Sequence, residues 1–435
     1  MKWLQGSLAL VSLLHQAYAS GPAFADSRPS ASNKHLQCHL KPLGKGKDDT
    51  SQIEAAITKC GHGGITTFAE GEYNITRKMT WHLKNSEVHL NGYLSFIPDI
   101  QYWLDAANTY RVVFIQNQAS WFVLTGSDFL VDAHNTGGIN GNGQPWWSYY
   151  ANRTREDGDG RPIALTLSNV TRGVVKDFRI EAQPFWCNTV AQSTQVVYDG
   201  MYCNATNTDP AWVGKNIVPN TDGIDTYRSD SVVLKNWDIT CGDDCLAIKG
   251  NSTNLFIDGV TCRGGNGIAI GSLGQYVDLP DIVENVTMQN LHLIRLNSSI
   301  QPNMQNGVYL KSWDGTVNGV PPTGGGGATG HVKNVVVKHA KLDRVNKPVA
   351  LYQTNGAHSG DAPSTLQFSN VAFEDFTGTA ATAKREFVDI ECSPAVPCPN
   401  IKFADFDVSP PAGASVELIC KNVVNYTGLS GGSLS

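Results

Sequence analysis

Hydrophobic positions along this chain recur in short runs, not in helical stripes. In "SVVLKNWDITC" (231–241) apolar and polar residues alternate, an Asn interrupts, and a second apolar pair follows. The same order recurs in "GVVKDFRIEA" (173–182), "QVVYDGMYC" (195–203), "NLFIDGVTC" (254–262), "VENVTMQNL" (283–291), "HVKNVVVKHA" (331–340) and "LQFSNVAFEDF" (366–376). Alternation with a period of two marks a half-buried strand. Recurrence at roughly 20–30 residues marks a solenoid whose units bury their apolar faces only by stacking. Short β-branched runs with little helix predict an all-β chain wound as a single right-handed parallel β-helix. A β-sandwich would also use short strands, but at a hairpin spacing of roughly 8–12 residues. One segment breaks the pattern: "DDTSQIEAAITKC" (48–60) places Ile53, Ala56 and Ile57 on one helical face, with Asp49 or Thr50 as cap. This N-terminal capping helix is expected to seal an end of the solenoid.

No linker splits the chain, and the Gly-rich "PPTGGGGATG" (321–330) reads as a loop between coils. The first 19 residues carry the marks of a secretory signal: Lys2, the apolar "SLALVSLL" (7–14) and the small-x-small "AYA" (17–19). That apolar core is too short to span a bilayer. The expected organisation is a signal peptide (1–19), an N-terminal extension (20–37), a β-helix domain (38–426) and a flexible tail (427–435), exported to the extracellular space. An even count of ten cysteines fits a disulfide-bonded exported chain, and their spacing does not suggest zinc. Eight Asn-x-Ser/Thr sequons, at Asn74, Asn152, Asn169, Asn204, Asn251, Asn285, Asn297 and Asn425, suggest a glycoprotein. The net charge of −6 and the lack of a basic block argue against nucleic acid as a partner, and a soluble monomer is expected. Any recognition of anions must then be local.

The candidate chemistry lies in "CGDDCLAIKG" (241–250) and the preceding "NTDGIDTYRSD" (220–230). Asp222 precedes Asp243 by 21 residues, the interval that also separates Cys241 from Cys262. A coil of that length brings Asp222 beside Asp243 and Asp244, about 4.8 Å along the stack. Adjacent strand residues face opposite ways, so convergence of the doublet needs a bend or bulge, for which Gly242 is the candidate. Close carboxylates raise one another's pKa, so one can remain an acid while others act as bases. Such a set hydrolyses glycosidic bonds. A calcium site or a solvated acidic turn would use the same doublet, and the register to Asp222 favours chemistry.

The run "NTDGIDTYRSD…CGDDCLAIK…CRGGNGIAIGSLG" resembles the polygalacturonase family, family 28 of the glycoside hydrolases. So do "DDTSQIEAAITKCGHGGITTFAEGEYNI", "GGINGNGQPWW" (137–147) and "QPFW" (183–186), and the likeness runs from about 38 to 425. "GIAIGSLGQY" (267–276) is most similar to exo-acting fungal members. The resemblance implies right-handed β-helices that hydrolyse pectic polymers with inversion and without a metal or other cofactor. Carried over, Asp243 is the general acid, Asp222 and Asp244 activate water, and Asn220 orients its neighbours. Acid and base are then expected roughly 6.5–9.5 Å apart. The resemblance also implies Cys245–Cys262, with Cys38–Cys60 and Cys392–Cys398 as further expected pairs. Cys187, Cys203, Cys241 and Cys420 stay unassigned, Cys187–Cys203 being the more local choice.

Two positions depart from the family pattern. Asn266 stands where a histidine is usual, and an amide hydrogen-bonds without carrying charge. Tyr309 stands where an arginine usually clamps the substrate carboxylate, while Lys311 remains. Tyr309 is expected to offer a hydroxyl or a stacking face, with Trp313 beside Lys311 as a second aromatic. Arg263, Arg228 and Lys249 are candidates to replace the missing charge. Loops 149–162, 204–216 and 314–330 are candidates to close the cleft, and Trp146, Trp147 and Trp212 are read as packing residues. The leading expectation is an exo-hydrolase that removes terminal galacturonate from pectic substrate. The alternatives are an exo-acting rhamnosidase of rhamnogalacturonan, a pectate lyase and an inactive carbohydrate-binding homologue.

Overall fold

Alternation and coil length together decide the architecture. The computed structural model describes residues 29–156, 158–381, 386–414, 417–428 and 433–434. The expected signal segment, the first part of the extension and much of the tail lie outside the described residues. The repeated runs form long strands, Thr194–Asp199, Asp230–Thr240, Ser252–Arg263, Asp281–Ile294, Gly330–Val345, Leu366–Ala380 and Ile401–Ser409, each parallel to the next. A front stack of shorter strands runs Asn188–Ala191, Ile224–Tyr227, Asp244–Ile248, Gly267–Leu273, Asn306–Trp313 and Lys347–Asn355. Chain order alternates between front and long strands, which makes the fold a right-handed parallel β-helix. Inward positions of the front stack align Ile224, Leu246, Ile268, Val308 and Val349 in one buried column. Each such side chain stabilises the fold by about 1.5–3 kcal/mol through burial.

The Asn and Asp that interrupt each repeat have a backbone cause. Midway along the long strands, Asn236, Gly259, Asn290, His339, Asp375 and Asp405 follow paired residues in successive coils, with φ of 55°, 77°, 56°, 56°, 53° and 50°. The left-handed region turns the strand around the corner of the coil, and Gly, Asn and Asp tolerate it best. A second left-handed column passes through Arg172, Gln195 and Ser231 and then continues as six asparagines: Asn254, Asn285, Asn334, Asn370, Asn400 and Asn425. Each amide donates to the Oδ1 of the one before it, at 3.0, 3.1, 3.2, 2.8 and 3.2 Å, and Asn254 donates to Asp230 at 2.7 Å. Two sequons fall in this ladder. Asn285 and Asn425 each use the side-chain nitrogen for a ladder bond. Asn152 and Asn297 are exposed.

The expected helix forms over Thr50–Cys60 and buries Ile53, Ala56 and Ile57. Its cap differs from expectation. Asp49 occupies the N-cap position but makes no side-chain cap bond. Its carboxylate instead accepts the N–H groups of Leu43 (2.8 Å) and Asn74 (2.9 Å), while Asp48 accepts the Thr50 N–H at 3.0 Å. The disulfides are Cys38–Cys60, Cys187–Cys203, Cys245–Cys262 and Cys392–Cys398. Cys241 and Cys420 are free and buried.

The ladder yields a stability prediction. Asn334→Ala loses two ladder bonds and must hold a left-handed backbone, a combined cost of about 1–3 kcal/mol. Asn334→Gly keeps the backbone tolerance and should cost less. Denaturant unfolding of both variants measures the difference, and equal losses would mean that the backbone term is absent.

Candidate active site

The strand register sets the catalytic geometry, and it differs from the 21-residue interval. Ile224 pairs with Leu246, a shift of 22, and Gly223 N–H donates to the Asp244 carbonyl at 3.0 Å. Asp222 therefore stacks on Asp244. In the long strands Ile239, not Cys241, pairs with Cys262. The bulge also lies elsewhere: Asp244 pairs with Gly267 and Leu246 with Ile268, so the extra residue is Cys245. Gly242 serves close approach instead, since a Cβ there would meet the Val218 carbonyl oxygen at 2.2 Å. The result is convergence: one oxygen from each of Asp222, Asp243 and Asp244 lies within 4.8 Å of the others. These are single oxygens, whereas the roughly 6.5–9.5 Å expected for an inverting pair is counted between whole carboxyl groups.

Each carboxylate has a different environment. Asp243 Oδ2 accepts the Asn220 N–H (2.9 Å) and its Nδ2 (3.4 Å), and Oδ1 accepts Asn266 Nδ2 (2.7 Å). Asn266 thus keeps the donor of the usual histidine without its charge. Asp244 accepts from the Tyr309 hydroxyl and from Lys311 Nζ at 3.0 Å. Asp222 is 4% exposed, and its Oδ1 has no hydrogen-bond partner. Burial pushes Asp222 well above the usual carboxylate range, with Asp225, Asp243 and Asp244 adding to it. Burial and the Asp244 charge raise Asp243 as well. Burial opposes the charge on Lys311, but Asp244 beside it prevails and holds the ammonium well above its ordinary value.

The expected substrate ligands fare unequally. Tyr309 is 2% exposed and its hydroxyl serves Asp244, so it offers no stacking face to a sugar. Its ring lies in an outward column between Ala269 and Ala350. Arg263 Nε and Nη2 bind the two oxygens of Asp238 at 2.9 Å each, an engagement that does not support a role at the substrate. Trp313 is half-buried beside Gly356. Lys249 Nζ lies 3.4 Å from Asp225 and donates to the Gly271 carbonyl at 3.1 Å. Asp225 was not singled out in the sequence; burial pushes it up to about 7 despite Lys249. Arg161 was also missed. It is 3% exposed and donates to Asn220 Oδ1 at 2.9 Å. No sequence spacing marks it, because its contact is made by a loop.

Loops wall the site on one side. Tyr110–Val113, Gln118–Ser120 and Pro162–Ile163 form a small sheet. Its Val113 and Ile163 pack on Trp186, Ala191 and Tyr227, covering the outer face of the front stack before the Asp244 coil. Beyond it, Gln116 N–H donates to the Tyr276 hydroxyl at 2.6 Å, and Gln275 Nε2 donates to Pro322 and Gly324 carbonyls at 2.8 and 3.0 Å. Gly158 sits against Gln116 and Pro322. Segments 149–162 and 314–330 thus join the wall as expected, together with 110–118 and 274–279, which the sequence pattern did not reveal. Segment 204–216 lies at another point of the site: Asn216 Nδ2 donates to the Gly242 carbonyl at 2.7 Å, beside the doublet's turn. Trp146 and Trp147 are buried packing residues.

The Asp222 environment predicts a pH dependence of stability. Its raised value means that the fold holds this proton more tightly than the unfolded chain does. That contribution is complete below about pH 4 and is lost as pH rises through the raised value. Asp222→Asn removes the loss. Between about pH 4 and pH 7 its melting temperature should fall less than that of the unaltered protein, and an equal fall would contradict the assignment.

Comparison with known proteins agrees in sequence and in fold. Residues 82–430 match the pattern of glycosyl hydrolases family 28. A provisionally named galacturan 1,4-alpha-galacturonidase A of Aspergillus flavus is 39% identical, over 89% of this chain and 92% of the relative. Exopolygalacturonase X of Aspergillus niger is 35% identical, over 86% of this chain and 83% of the relative. Among solved structures, an endo-xylogalacturonan hydrolase from Aspergillus tubingensis superposes with a TM-score of 0.76 at 23% identity, covering 91% of this chain and all (100%) of that one. That likeness speaks for the β-helix alone. With the sequence match running through both aspartate motifs, the chain belongs to family 28 of the glycosyl hydrolases.

Proposed function

We propose that this protein is a secreted, exo-acting, inverting hydrolase of the pectin backbone that releases one terminal galacturonate per event. The observation that carries the reading is a trio of converging carboxylates, Asp222 and Asp244 buried and Asp243 partly exposed, placed next to a wall of converging loops. A wall at the catalytic carboxylates leaves room for a chain end and not for a long chain on both sides. Relatives named as exopolygalacturonases support the same substrate class. Among the described residues, no helix is long and apolar enough to cross a membrane. The disulfides support export to an oxidising compartment.

In this reading Asp243 protonates the leaving oxygen. Asp244 is paired with the Lys311 ammonium at 3.0 Å. Asp222 has an oxygen uncommitted to protein. Asp222 holds the water through that oxygen, and Asp244 takes the water's proton as it attacks the anomeric carbon. A covalent route, for which a carboxyl separation of roughly 5–5.5 Å is usual, would need one of them as nucleophile. Asp244 makes a poor nucleophile, because Tyr309 and Lys311 engage both its oxygens. Burial holds Asp222 toward its protonated form, which is no nucleophile either. The rhamnoside alternative drew on Tyr309 and Asn266; the Tyr309 ring is buried, and Asn266 donates to Asp243.

The test is product analysis on trigalacturonate. Galacturonate should be released singly, first as the β-anomer by proton NMR, with no unsaturated product and no effect of a chelator. Asp243→Asn should lower turnover by about 10²–10⁴-fold, the range of a general acid. Rhamnose release, a first product with α configuration or ultraviolet-absorbing ends would each overturn the reading.

A further inference from the structure

We propose that Arg161 is a positioning residue for the general acid: by binding Asn220 it keeps the transferable proton of Asp243 on Oδ1. The inference rests on the reading of Asp243 as the acid. A carboxyl oxygen has two lone pairs. Oδ2 of Asp243 spends both, on the Asn220 N–H at 2.9 Å and on Asn220 Nδ2 at 3.4 Å. Oδ1 spends one, on Asn266 Nδ2 at 2.7 Å. The remaining lone pair on Oδ1 is where a proton fits without displacing a donor.

Asn220 controls this choice, because its amide has two faces. Rotated by half a turn, it would point its own Oδ1 at Asp243 Oδ2 and accept a proton there. The acid would then be protonated on the oxygen that faces protein. Arg161 forbids the rotation. Its Nη2 donates to Asn220 Oδ1 at 2.9 Å, and a guanidinium has no acceptor to offer a rotated NH₂. Arg161 cannot swing away. Its Nε binds both oxygens of Asp159 at 3.1 and 2.8 Å, and Nη1 donates to the Pro219 carbonyl at 3.3 Å. Its guanidinium carbon also lies 4.7 Å from the Phe185 ring and 5.2 Å from the Tyr150 ring. The ionisable groups that act on Asp243 are Asp222, Asp225, Asp244, Cys241, Lys249, Tyr309, Lys311, Tyr352 and Arg155. None of them touches Asn220, so amide orientation falls to Arg161.

The experiment compares two substrates. Trigalacturonate needs its leaving oxygen protonated, whereas 2,4-dinitrophenyl α-D-galacturonide has a leaving group that departs as an anion. Arg161→Gln should lower kcat on trigalacturonate by about tenfold or more, with KM within about threefold, and should leave the dinitrophenyl substrate within about threefold. Arg161→Lys retains a donor for Asn220 and should recover part of the loss. Asn220→Ala leaves Arg161 and its Asp159 pair in place and should show the same selective loss, whether or not Arg161→Gln folds. Equal losses on both substrates, or no loss on trigalacturonate, overturn the proposal. Asp243→Asn is run alongside. If it turns over trigalacturonate like the unaltered protein, the assignment of the acid fails. If it is selectively impaired while Arg161→Gln and Asn220→Ala are not, only the role of Arg161 fails.

Discussion

The repulsion between three converging carboxylates, two of them buried, is the constraint to which the rest of the site answers. Left alone, such a cluster would take up protons until little charge remained. Each neighbour settles part of that balance differently. Lys311 and Tyr309 serve Asp244, backbone and amide donors serve Asp243, and Asp222 receives almost nothing. Three chemically identical side chains thereby acquire three distinct characters. The assignment of acid and base is a statement about those surroundings more than about the aspartates themselves.

The loss of two family cations reads differently in this light. Asn266 retains the hydrogen bond that histidine would make, so the direction of Asp243 survives while a charge is removed. Tyr309 loses a clamp for substrate but supplies a hydroxyl to Asp244. Both changes move interactions from substrate or charge toward holding the carboxylates in place. Arg161, reaching in from a loop, is a guanidinium one side chain removed from the acid.

Much of the fold was legible because its cause is local. The alternation that makes a strand and the Asn or Asp that turns a corner repeat in the sequence as they do in space. The helix was legible by its face, but its cap was not, since Asp49 was drawn off by Leu43 and Asn74. The aspartate trio was legible as a group; its register was misjudged by one residue, because the cysteine interval used to measure a coil is not a coil. What could not be read was contact between segments distant in sequence without a shared period. Arg161 to Asn220, Gln116 to Tyr276 and Lys249 to Asp225 all depend on where loops and outward side chains settle after the helix has wound. Burial told against the expected role of Tyr309, and burial is a property of the neighbours.

A wound stack of parallel strands has no natural last member. Every coil presents unpaired N–H and C=O groups to whatever lies above it, and an uncovered terminal coil is a template for another chain. The helix Thr50–Cys60, with Ile53 and Ile57 turned into the core and Cys60 bonded to Cys38, occupies that position at one end. It fixes the number of turns as firmly as any strand does. Without such a stopper, the pairing that builds one molecule would continue into the next, and the enzyme would grow as a fibre.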